Sequence, residues 1–189
     1  AVFGIPKGEV LPELRRTAKI INFGIMYGAG PFRISQELGI PRHEAETIIQ
    51  AYFTQYSGIK NYIDETIDFA KKHKFVSTIM GRRRPVWEID SENRIRREAA
   101  IRMAINMPIQ GTAAEMIKLA MIEIQAEMNS EKLESMMILQ IHDELVFEFP
   151  NDELDELKNL IVSKMENALP LSVPLVVDCG WGESWYEAH

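Results

Sequence analysis

Three adjacent residues, His142-Asp143-Glu144, place ionisable groups between two apolar runs, Met136–Ile141 and Leu145–Phe149. Both runs are rich in β-forming residues and read as an antiparallel hairpin, although without an Asn-Gly turn. Their flanks alternate poorly, so the strands are expected to be buried on both faces. Carboxylates in such surroundings are costly unless they have a partner, and a divalent cation suits two adjacent ones. The plainer reading is a polar turn with solvated acids. Residue types alone leave both open.

A second constellation lies near the start of the chain. Drawn on a helix at roughly 100° per residue, Leu14, Ala18, Ile21 and Ile25 form an apolar stripe. Arg15, Lys19, Phe23 and Tyr27 recur every fourth residue on the opposite side. Two cations one turn apart suit phosphate oxygens, and two aromatics further along suit a sugar and a base. The alternative is a solvated basic face whose aromatics pack on a neighbouring element.

Two more sets offer groups to a nucleic acid. Gly81-Arg82-Arg83-Arg84 follows a predicted strand, and three arginines after a glycine turn can either clasp a phosphate backbone or form a solvated loop. Arg102, Asn106 and Gln110 share one helix face. Amides both donate and accept, so they can reach the minor-groove acceptors that every base pair carries. Hydrogen bonds between helices would use the same residues.

These segments resemble the family A DNA polymerases. Arg15-Arg16-Thr17-Ala18-Lys19-Ile20-Ile21-Asn22-Phe23-Gly24-Ile25-Met26-Tyr27-Gly28 is similar to the family's nucleotide-binding helix. The segment from Arg102 to Glu115 resembles its template–primer element, and Gln140-Ile141-His142-Asp143-Glu144-Leu145-Val146-Phe147-Glu148 resembles its palm hairpin. The resemblance implies roles: Arg15 and Lys19 on the triphosphate, Phe23 by the sugar, and Tyr27 at the base-pair end. It places Arg102, Asn106, Gln110 and His142 on the DNA, with Asp143 a metal ligand and Glu144 supporting the metal or the primer end. It further implies a DNA-directed DNA polymerase of replication and repair, working with two Mg²⁺ ions on primer–template DNA and deoxynucleoside triphosphates. Single-subunit RNA polymerases carry a related helix, and a DNA-binding module that has lost catalysis would keep the same fold. Glu144 and Phe23 favour the DNA-synthesising enzyme. The family's other metal-binding aspartate precedes the nucleotide helix, yet no Asp occurs before Asp64. A fragment unable to catalyse alone is therefore expected.

The elements that must position these residues follow from the punctuation. Residues 1–10 read as irregular. Pro12 and Glu13 open a helix that runs to about Tyr27 and stops at Gly28-Ala29-Gly30-Pro31. Further helices are predicted to Leu38, from Arg42 to Tyr56 and from Gly58 to Lys74, with a strand over Phe75–Ile79. A helix over 92–107 is expected to break at Pro108 and Gly111, and another to run from Thr112 to Met128. Asp152–Asn167 reads as a helix, and Leu175–Cys179 as a last strand. The fold class is α+β: fingers helices over 1–74, then over 75–189 the C-terminal portion of a palm with a small antiparallel sheet.

Charge divides along the chain. Residues 1–110 hold 17 Lys/Arg against 12 Asp/Glu, while 111–189 hold 4 against 16. A basic part beside an acidic part fits a grip on a polyanion next to a metal site. Asp152, Glu153, Asp155 and Glu156 are expected to be solvated. The lone Cys179 is expected to be a small buried residue. No apolar run approaches a membrane span and the first residues lack the pattern of a signal peptide, so a cytoplasmic cut fragment is expected. A palm cut through its sheet leaves an edge strand, which favours self-association.

Overall fold

A computed structural model describes residues 11–188. The reading of residues 1–10 as irregular lies outside them, as does the terminal His189. The described chain is α+β. Helices α1 (Pro12–Met26), α2 (Pro31–Leu38), α3 (Arg42–Gln55) and α4 (Ser57–His73) lead into a two-stranded antiparallel pair, β1 (Phe75–Ser77) and β2 (Arg83–Pro85). A 3₁₀ turn at Trp87–Asp90 precedes the long helix α5 (Arg94–Glu131). The hairpin β3 (Met136–Ile141) and β4 (Glu144–Glu148), helix α6 (Leu154–Glu166) and a final turn α7 (Trp185–Ala188) complete it. Chain contacts form two compact units, Ala1–Gln110 and Gly111–His189.

In the first unit, α1 begins with proline in its first turn and Glu13 beside it, where a missing N–H costs nothing and the dipole favours an acid. Of its expected inward stripe, Leu14 and Ala18 are only half-buried and the C-terminal pair carries the packing. Ile21 and Ile25 are fully buried against Tyr52, with Ile48, Ile49, Phe53 and Ile59 packed around them. The Tyr52 hydroxyl donates to Asn22 Oδ1 at 2.6 Å, a further link from α3 to α1. A second cluster, Ala70, Val76, Val86, Ile89, Ala100, Ala104 and Met107, joins α4 and the β1–β2 pair to the first part of α5.

The second unit buries Ala120, Ile124 and Met128 of α5 against Leu157 of α6 and Ala168, with Met137, Leu145 and Phe147 of the hairpin packed beside them. The hairpin register runs Met137↔Phe147, then Leu139↔Val146, so Ile138 is an extra residue in β3. Ile141 pairs with Glu144, which leaves His142 and Asp143 as a two-residue turn.

Several expectations fail for physical reasons. Pro108 does not break the helix: α5 runs through it. Burial of Ala104, Ile105 and Met107 on one side of the proline and Thr112 on the other holds both flanks helical despite one absent backbone donor. Leu175–Cys179 is not a strand, because no ladder partner meets it among the described residues. Its Val177 N–H donates instead to the Glu166 carboxylate at 3.2 Å. The hairpin strands are not buried on both faces. Met136, Ile138 and Leu139 are each more than half exposed, since a two-stranded sheet presents one face to the α5–α6 core and leaves the other open. Cys179 is exposed rather than buried. Glu153 is not simply solvated: it accepts from the Glu134 N–H at 2.8 Å, the Ser135 N–H at 2.9 Å and the Ser135 hydroxyl. The Ser135 hydroxyl and the Glu134 N–H hold this carboxyl below the usual carboxylate range.

Candidate functional site

Helix α1 presents its outward stripe as expected: Arg15, Lys19, Phe23 and Tyr27 are all exposed. The rings of Phe23 and Tyr27 stack, with centroids 6.2 Å apart and planes 14° from parallel. Lys19, Phe23 and Tyr27 line an open depression of about 260 Å³ together with Ile20, Gly24, Ala29, Arg33 and Glu37. Apolar walls with a cation at the rim suit a ligand that is part ring and part anion. Among the described residues no carboxylate pairs with Arg15 or Lys19, whereas Arg33 is neutralised by Glu37 at 2.8 Å. The sequence reading missed Arg33 and Glu37. Their signal was the turn Gly28-Ala29-Gly30-Pro31, which folds α2 back beside α1, plus the four-residue spacing of the ion pair. Gly24 permits that return, since a Cβ there would lie 2.7 Å from Ile34 Cδ1.

Arg102, Asn106 and Gln110 lie on one face of α5, Arg102 and Asn106 half-buried and Gln110 exposed. Gly28, in the left-handed region at φ +74°, abuts this face: a Cβ on it would stand 3.2 Å from Arg102 Cγ and 3.6 Å from Ile105 Cδ1. The end of α1 and the Arg102 turn of α5 are thus in direct contact within the first unit.

The arginine run is not a loop. Arg83 and Arg84 belong to β2, and Arg83 lies over the Phe75 ring at 4.5 Å, so part of its capacity is spent within the fold.

In the second unit, His142, Asp143 and Glu144 meet at the tip of the β3–β4 hairpin, all exposed. His142 takes φ +55°, the sign a two-residue hairpin turn demands at its first position. The Gln140 amide donates to the His142 carbonyl at 2.9 Å and braces the turn. Exposure removes the argument that burial forces these acids to hold a cation. Among the described residues no three His, Cys, Asp or Glu side chains form a metal-holding group. The donor set still fits Mg²⁺, which takes oxygen ligands from one or two carboxylates and completes its shell with water and substrate phosphates.

The sequence model of DNA polymerase family A matches residues 1–187, and the chain belongs to that family. It is 45% identical over 186 residues to DNA polymerase I of Deinococcus radiodurans, covering 98% of this chain and 19% of that protein. With DNA polymerase I of Bacillus subtilis it shares 45% identity over 187 residues, 99% of this chain and 21% of that one. The chain thus spans about a fifth of the length of these relatives. Among solved structures, the POL domain of Pol1 from M. smegmatis, in complex with DNA primer-template and dNTP, superposes with a TM-score of 0.96 at 44% identity, covering 99% of this chain and 33% of that one.

Proposed function

We propose that this chain supplies the fingers helices (1–74) and the C-terminal palm portion (75–189) of a DNA-directed DNA polymerase that extends a primer 3′ end with deoxynucleotides. The observation that carries the reading is the exposed order of cation, cation, aromatic, aromatic along α1, with its aromatics stacked and no carboxylate paired with its cations among the described residues.

In this mechanism Arg15 and Lys19 hold the triphosphate oxygens by charge-assisted hydrogen bonds. Phe23 lies against the sugar, and Tyr27 closes the base end. Arg102, Asn106 and Gln110 reach minor-groove acceptors of the primer–template, which suits copying of any sequence. His142 contacts the primer terminus, and Asp143 with Glu144 would hold Mg²⁺. When bound, two such ions promote attack by the primer 3′-hydroxyl and stabilise the leaving pyrophosphate. The primer oxygen–α-phosphorus bond forms as the α–β phosphoanhydride bond breaks. The carboxylate pair at the hairpin is half of the anchor such a reaction uses, so the chain alone is inactive.

Primer extension tests both parts. The complete polymerase carrying Asp143→Asn is expected to lose extension while still binding duplex. Extension by the isolated 189-residue chain above a no-enzyme control would overturn the claim of inactivity. Full activity of the Asp143→Asn enzyme would overturn the assignment of the hairpin.

A further inference from the structure

We propose that Tyr62 is a positioning residue for the duplex-reading face of α5, its hydroxyl fixing the turn of helix that carries Arg102 and Asn106. The inference rests on the assignment of those residues to primer–template contact.

Tyr62 sits on α4, and its hydroxyl donates to the backbone carbonyl of Ile105 at 2.8 Å, across 43 positions of sequence. Ile105 lies between Arg102 and Asn106 and is 3% exposed. The bond therefore grips backbone inside the ladder of reading residues, whatever their side chains do. Its position relative to Pro108 matters. Proline has no N–H for the Ala104 carbonyl, and its ring crowds that carbonyl, so a helix tends to swivel at this point. Arg102 and Asn106 precede the swivel and Gln110 follows it. Without an outside hold, the three would share a face only on average. Tyr62 supplies the hold on the turn just before the proline.

The surroundings keep the hydroxyl a donor. Burial pushes the Tyr62 phenol up from its ordinary value, so it stays protonated. The nearby Thr66 side chain opposes that shift in part without reversing it. The Ile105 and Arg102 side chains also meet Gly28. Tyr62 and Gly28 thus both touch one turn of α5, the first through its backbone and the second through its side chains.

The test is Tyr62→Phe in the complete polymerase, which removes one oxygen and keeps the ring. Duplex Kd is read by fluorescence anisotropy of a labelled primer–template, nucleotide KM by single-turnover extension, and folding by thermal denaturation. A single hydrogen bond is worth about 0.5–1.5 kcal/mol, so Kd is expected to rise roughly 2- to 12-fold. Nucleotide KM stays within about twofold. Tyr62→Phe should raise Kd by a smaller factor in the Asn106→Ala background than in the parent, because the brace then has only Arg102 left to position. Combined with Lys19→Ala, its effect should simply add. Unchanged Kd, or full additivity with Asn106→Ala, overturns the proposal. If Tyr62→Phe fails to fold, 4-fluorophenylalanine at position 62 fills the volume of the hydroxyl without donating and is expected to raise Kd by a similar factor; no rise overturns it. If Arg102→Ala and Asn106→Ala themselves leave Kd unchanged, the duplex assignment fails and the proposal falls with it. If they weaken binding and Tyr62→Phe does not, only the positioning role fails.

Discussion

Gly28 at the end of α1 and Arg102 on α5 approach so closely that a single methyl group on the glycine would crowd the arginine stem at 3.2 Å. The glycine also holds φ +74°, a region that costs an L-residue about 1–2 kcal/mol. Gly28→Ala is therefore expected to destabilise the first unit by about 1–3 kcal/mol in urea denaturation. It should also weaken duplex binding by displacing Arg102. A variant as stable as the parent, with unchanged affinity, would show that the contact has slack.

The two faces of α1 should separate stability from function. Ile21 is fully buried, and Ile21→Ala is expected to cost about 2–5 kcal/mol. Lys19 is exposed, and Lys19→Ala should change stability by less than about 0.5 kcal/mol. In the complete polymerase the same variant should raise nucleotide KM by roughly 10-fold or more, the worth of a charged hydrogen bond. Equal effects of both variants on the unfolding midpoint would contradict the orientation of the helix.

Glu153 makes stability pH-dependent in a definite direction. Its carboxyl is held below the usual carboxylate range by the Ser135 hydroxyl first and then by the Glu134 N–H. The folded state therefore prefers the ionised form. Its contribution is full above the ordinary carboxylate range and is lost as pH falls through the depressed value. Glu153→Gln should lower the urea midpoint at pH 7, and the gap from the parent should shrink in acid. A gap that stays constant down to pH 3 would contradict the linkage.

The exposed hairpin tip predicts a variant that fails in chemistry alone. Asp143→Asn should leave the melting temperature within about 1 °C, since surface changes usually cost little. In the complete polymerase, chelation of Mg²⁺ should abolish extension, and readdition should restore it to the parent but not to the variant. Restoration of the variant by Mg²⁺ to parental rates would remove Asp143 from the ion's shell.

Most helices were legible because proline and glycine punctuate them: Pro12 and Pro31 open α1 and α2, and Gly39 closes α2 at φ +66°. The two stripes of α1 were legible because periodicity reports burial directly. Pro108 misled, because a local rule for helix breaking carries no knowledge of the core on either side. Leu175–Cys179 misled in the opposite sense: β propensity is satisfied by composition, whereas a strand exists only with a partner. The exposure of Asp143 and Glu144 could not be read from their flanks, because apolar runs do not say how many of a sheet's faces are covered. Tyr62 meets a backbone carbonyl, and Glu153 meets two backbone N–H groups and the Ser135 hydroxyl, partners far along the chain that sequence patterns do not reveal.

The extra residue at Ile138 is absorbed locally. On either side of it the ladder keeps its pairs, Met137 opposite Phe147 and Leu139 opposite Val146, so the tip stays in register. A bulge of this kind bends its strand and increases the local right-handed twist. Removing Ile138 would straighten β3 while leaving Ile141 opposite Glu144, and so would re-aim the tip without unpairing it. The surplus residue is therefore a setting of direction: it governs where the hairpin carries His142, Asp143 and Glu144, not which residues face each other.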